Sequence, residues 1–252
     1  MKPRVGLFVT CLVDLVRPQV GFASVKLLEA AGCTVEVPHA QTCCGQPAWN
    51  AGADAHAREI ARAVVDVFEG FDYVVAPSGS CAGMLRRHYP EILANDPAYA
   101  QRAKALAAKS HELVSFLVRE RKMERVGASC AARACYHDSC SSLREMGMRR
   151  EPRTLLASVE GLALVELKEP QICCGFGGLF AIKYPEISER MADDKIADAR
   201  STGADMLIGG DLGCLLHLAG RMERQGKPMH VRHIAEVLAG MGDRPALGET
   251  AR

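Results

Sequence analysis

Cys43-Cys44-Gly45 and Cys173-Cys174-Gly175 stand 130 residues apart, and this doubled triplet organises a chain of 252 residues. Working outward, Cys11 finds its counterpart in Cys140 at an offset of 129, and Cys81 in Cys214 at 133. The intervals agree too. Between Cys11 and Cys43 lie 31 residues, against 32 between Cys140 and Cys173; Cys44 and Cys81 are separated by 36, Cys174 and Cys214 by 39. Anchors kept in order at matched spacing mark an internal repeat, each copy one structural unit. A fainter match pairs residues 112–117 with 233–238, a helical pattern that closes each half. The linker is expected in the charged stretch 119–127, which ends in glycine, giving domains 1–126 and 127–252.

Short β-rich runs alternate with helical stretches, the pattern of a parallel sheet with crossover helices. In the first half the runs at 5–9, 34–37 and 73–76 read as strands, and 18–31 and 54–68 as helices, the former opened by Pro18. In the second half 134–137, 162–167 and 206–208 read as strands, and 185–201 and 215–225 as helices. The expected fold class is α/β: two similar, pseudo-symmetric domains, each a small parallel sheet with flanking helices. Every repeated cysteine then falls just past the carboxyl end of a strand, where open α/β sheets form their binding crevice. The helix after each loop directs unpaired N–H groups and its dipole at the sulfurs, an arrangement suited to an anion.

Composition narrows the choice of function. The formal net charge is +1 and aromatic residues make up 5%, which gives a nucleic-acid groove little to be built from. No apolar run approaches the roughly 20 residues of a membrane span, and the N-terminus lacks the marks of a signal peptide, so the chain is expected in the cytoplasm. Eleven cysteines in such a reducing compartment point to metal ligation before disulfides. The candidate ligands are Cys11, Cys43, Cys44 and Cys81 in one half and Cys140, Cys173, Cys174 and Cys214 in the other. Four thiolates suit either zinc or a [4Fe-4S] cluster, and the lack of a local C-x2-C knuckle favours one cluster per half, with zinc as the alternative in one of them. Cys33, Cys130 and Cys135 read as ordinary structural cysteines. His137, three residues before Cys140, invites comparison with a cysteine nucleophile and its base, but Cys11 has no such histidine. The glycines after Cys174 fail the dinucleotide spacing because Phe180 stands where the last glycine should be.

Three segments carry a wider resemblance: Tyr136-His137-Asp138-Ser139-Cys140, Cys173-Cys174-Gly175-Phe176-Gly177-Gly178 continuing through Ala181-Ile182-Lys183-Tyr184-Pro185-Glu186, and Pro77-Ser78-Gly79-Ser80-Cys81. Over nearly its whole length the chain resembles the cysteine-rich CCG-domain proteins, and among them the lactate utilization protein A family. The same domain occurs in heterodisulfide reductase and in the iron-sulfur subunit of glycolate oxidase. The resemblance implies clusters bound at these motifs, and an electron-transfer subunit that works with partner subunits and an electron acceptor in oxidising L-lactate to pyruvate. A zinc-binding scaffold and a heterodisulfide-cleaving cluster enzyme are the alternatives. In its fullest form the third motif is C-x-x-C; here Met84 and His217 occupy the last position, leaving four thiolates per half.

Overall fold

Strand β1 (Arg4–Leu7) is central to a four-stranded sheet, pairing with β2 (Thr34–Glu36) on one side and β3 (Tyr73–Ala76) on the other; β4 (Ser110–Glu112) follows β3 at the edge. A second sheet repeats the order, with β5 (Ser129–His137) between β6 (Glu160–Val165) and β7 (Met206–Gly209), and β8 (His230–His233) outermost. All six pairings are parallel. The computed structural model describes residues 1–242 and 245–249. The chain divides into two units, Met1–Lys122 and Met123–Arg252, each holding one sheet with its flanking helices.

The longer helices form where sequence periodicity places them, while Ala100–Ala108 and Arg150–Leu156 are helices it does not mark. Pro18–Ala30 begins at a proline whose missing N–H is no loss in the first turn, and it buries Val20, Ala23, Leu27 and Leu28. Asp54–Phe68 buries Ala57, Ala61, Val64, Val65 and Phe68. In the second unit Pro185–Ser201 buries Ser188, Ala192, Lys195, Ile196 and Ala199, the same five positions shifted by 131. Full burial of side chains such as Leu28 or Phe68 stabilises each unit by roughly 1.5–3 kcal/mol apiece. Sheet register confirms the alignment: Leu7 sits opposite Val75 as Tyr136 sits opposite Ile208. Phe8 and His137 are therefore equivalent, and so are Val64 and Lys195.

The edge strands β4 and β8 depart from the sequence expectation, which placed only a closing helix there. Each is short and polar, and it turns directly into that helix. Glu112 caps Leu113–Ser115, its carboxylate accepting from the Ser115 N–H at 2.8 Å. His233 caps Ile234–Leu238, with Nδ1 accepting from the Ala235 N–H at 3.2 Å while Glu236 accepts from the His233 N–H at 3.2 Å. Such caps are worth about 1 kcal/mol.

Candidate metal centres

In the first unit Cys11 opens the helical turn Cys11–Val16 just beyond β1, with Thr10 as its cap. Cys43 and Cys44 lie in the loop after β2, and Cys81 in the turn Gly79–Gly83 after β3, where the Ser78 hydroxyl accepts from the Cys81 N–H at 3.3 Å. Each cysteine thus follows the carboxyl end of a strand. The sulfurs of Cys11 and Cys43 are 3.9 Å apart, Cys43 contacts Cys44, and Cys44 contacts Cys81, forming a continuous row of four thiols. The second unit repeats the row as Cys140, Cys173, Cys174 and Cys214. Cys140 stands at the start of a helical turn capped by Ser139, and Cys214 in the first turn of Leu212–Arg224. The eight cysteines singled out from sequence are thereby gathered into two quartets, one per unit.

Electrostatics within each row are those of crowded thiols competing for few protons. The hydrogen bond from Cys11 holds the Cys43 thiol far below its ordinary range, and the same bond pushes Cys11 up. Cys140 and Cys173 divide the load in the same way. Backbone donors converge as well: the Gly175 N–H points to Cys173 Sγ at 3.4 Å and the Phe176 N–H to Cys174 Sγ at 3.5 Å. Thiolates ringed by N–H groups and helix starts are the chemistry of a metal centre of net negative charge, so the donor set fits either a thiolate-held cluster or zinc.

Gly45 and Gly175 make the doublet loops turn, with φ of +81° and +85°. A Cβ on Gly175 would stand 2.4 Å from the Ser188 carbonyl oxygen, whereas one on Gly45 would meet Ile60 Cγ2 at 3.2 Å. Ser188 also ties the loop down, its hydroxyl donating to the Gly175 carbonyl at 2.8 Å. Trp49 lies just past the first doublet in the helix Gln46–Asn50, its ring 6.1 Å from that of His88.

One residue of the second site goes beyond the sequence reading. His137, at the end of β5, brings a ring nitrogen together with Cys174 Sγ and Cys214 Sγ so that all three lie within 4.8 Å of one another. The ring is buried, and among the described residues neither nitrogen has a hydrogen-bond partner. Burial lowers its pKa to about 4, so the imidazole is neutral at pH 7. The sequence offers it only as the base of a cysteine nucleophile, and the repeat has Phe8 at its position.

Around the second row the packing is polar. Asp138 is held by a bidentate pair from Arg153 at 2.8 and 2.7 Å, and Arg153 reaches on to Glu166 at 2.7 Å. Lys195 is fully buried and donates to the Glu169 carbonyl at 2.7 Å; desolvation lowers its pKa. Arg144 donates to the Gln171 carbonyl at 3.2 Å and steadies the approach to the doublet. Cys33 and Cys135 are buried, and desolvation raises both thiols, Cys135 to about 11. Cys130 lies in β5.

Comparison with known proteins agrees with this geometry. The profile of the cysteine-rich domain CCG matches residues 5–86 and again 134–219. The chain is 52% identical over 235 residues to Lactate utilization protein A of Geobacillus kaustophilus, covering 93% of this chain and 98% of that protein. It is 48% identical to the protein of the same name from Halalkalibacterium halodurans, over 93% of this chain and 96% of the relative. Among solved structures, a hypothetical protein from Helicobacter pylori shares the fold with a TM-score of 0.66 at 12% identity, covering 96% of this chain. The chain spans 49% of that protein's length.

Proposed function

This chain belongs to the lactate utilization protein A family of CCG cysteine-rich domain proteins, and from that membership we propose that it is the iron-sulfur electron-transfer subunit of an L-lactate-oxidising system. The observation that carries the reading is the pair of four-sulfur rows at the carboxyl edges of the two sheets. Cys11, Cys43, Cys44 and Cys81 would hold one [4Fe-4S] cluster, and Cys140, Cys173, Cys174 and Cys214 a second. When bound, such a group supplies one-electron redox chemistry.

The chain's own residues do the rest. The loop N–H groups of Gly175 and Phe176 neutralise negative charge on the sulfurs, and the strand ends fix where the thiolates point. Oxidation of L-lactate to pyruvate releases two electrons and two protons; this subunit takes the electrons singly from a partner subunit and hands them to an acceptor in the cytoplasm.

A second reading, zinc in the second unit, is favoured by one observation. His137, Cys174 and Cys214 offer a compact mixed donor group of the kind zinc accepts. Anaerobic purification followed by iron, zinc and acid-labile sulfide analysis tests both. A brown protein with iron and sulfide in equal amounts, reducible when lactate and the partner subunits are supplied, is the expected result. A colourless chain with zinc alone sinks the electron-transfer reading.

A further inference from the structure

The two units share a plan down to strand register, so positions at which they differ in chemistry are informative. Most telling is the residue three positions before the first cysteine of each row. In the first unit this is Phe8, buried and packed on Phe68 with ring centroids 5.5 Å apart. In the second it is His137, equally buried, with both ring nitrogens lacking a partner among the described residues.

A buried polar atom without a partner costs about 1–3 kcal/mol, and a phenyl ring at the same place avoids that cost in the sister unit. His137 is nonetheless held where one nitrogen shares a 4.8 Å cluster with Cys174 Sγ and Cys214 Sγ. Imidazole nitrogen and thiolate sulfur bind the same borderline metals, so a metal between them satisfies the stranded nitrogen and joins it to the sulfur row.

We propose that His137 is a nitrogen ligand of the metal centre in the second unit, so that this centre has a mixed nitrogen-sulfur ligand set while the first unit binds through sulfur alone. The inference rests on the reading above that the cysteine rows hold metal. Five donors are then available in the second unit for four ligand positions, so neutral imidazole takes the position of one thiolate and the four-cysteine set given above is revised there to three cysteines and His137. Replacing an anionic ligand by a neutral one raises the reduction potential of an iron-sulfur centre. Lys195, the buried cation standing where the first unit has Val64, adds positive charge to the same unit. The second centre is therefore the better electron acceptor of the two.

The test uses full-length holoprotein carrying 15N-histidine, purified anaerobically, beside His137→Phe, which installs the first unit's residue. Metal and sulfide content are measured first. Pulsed electron paramagnetic resonance on the reduced protein then reads nitrogen bound to iron, and X-ray absorption at the zinc edge reads it if the second unit carries zinc. The expected result is one strongly coupled histidine nitrogen in the wild type. In His137→Phe that coupling is lost, the second potential shifts downward, and the first centre's signal is unchanged. Metal present with sulfur-only ligation in the wild type overturns the proposal and leaves the electron-transfer reading standing. Nitrogen coupling that survives in His137→Phe overturns it equally. A chain that binds no metal overturns both. The labelled wild type decides the matter even if the variant fails to fold.

Discussion

Adding one methyl group to each doublet loop should have very unequal effects. Gly45→Ala and Gly175→Ala both force alanine into the left-handed region, at φ of +81° and +85°, which costs each roughly 1–2 kcal/mol. Their surroundings differ. The new Cβ at 45 meets the Ile60 Cγ2 methyl at 3.2 Å, a crowding that a shift of a few tenths of an ångström relieves. At 175 it meets the Ser188 carbonyl oxygen at 2.4 Å and Met191 Cβ at 3.0 Å, inside a long helix that cannot yield without loosening the bond from the Ser188 hydroxyl to the Gly175 carbonyl. Overpacking of that kind adds about 1–3 kcal/mol. Gly175→Ala is thus expected to exceed Gly45→Ala by about 2 kcal/mol, roughly a thirtyfold difference in the local opening constant. Hydrogen exchange by mass spectrometry on the full chain resolves the two units, because protection of β7 and β8 reports on one and that of β3 and β4 on the other. Gly175→Ala should speed exchange in β7 and β8 while β3 and β4 keep their wild-type protection. Equal losses from the two variants, or an unperturbed second unit, would refute the reasoning.

Other perturbations follow from the same contacts. Cys173→Ser and Cys174→Ser should strip metal from the second unit and spare the first, whereas Cys33→Ala should lose none; metal per chain is the measurement, and full content in the doublet variants contradicts the ligand assignment. Arg153→Leu leaves the Asp138 carboxylate, 2% exposed, without its bidentate partner and should cost the second unit about 3–5 kcal/mol in denaturant unfolding; a change below about 1 kcal/mol would count against it. The Arg153 hydrogen bond holds the Glu166 carboxyl below its ordinary 4.5, so its contribution is complete above that pH and is lost as pH falls through the lower folded value. The stability gap between wild type and Glu166→Gln should therefore be open at neutral pH and close in acid, and a gap that widened on acidification would reverse the sign of the argument.

Much of this architecture was legible because the repeat and the helix periodicity are local signals. Pro18, the apolar spacing of 54–68 and the Val-rich run Tyr73–Ala76 announce their elements without help from tertiary contacts. The edge strands β4 and β8 were not, because Ser110-His111-Glu112 and His230-Val231-Arg232-His233 carry no apolar alternation; they become strands by pairing with β3 and β7. Convergence of distant cysteines could be argued from strand ends alone. The approach of His137 to Cys174 and Cys214 could not, since the repeat that revealed the sulfurs offers Phe8 in its place and the sequence suggested only a base for Cys140. Lys195 was hidden by the opposite bias, a cation at a core position of a helix, whose head group finds backbone carbonyls only once the fold is formed.

The position of Trp49 has a practical consequence. It is the chain's single tryptophan, and it sits one helical turn past Cys43 and Cys44. Indole emission from this chain therefore arises in the first unit, close in sequence to its cysteine doublet, and an iron centre bound there would darken that light by energy transfer. Filling or emptying of the N-terminal row of thiols could be followed in real time with no label attached.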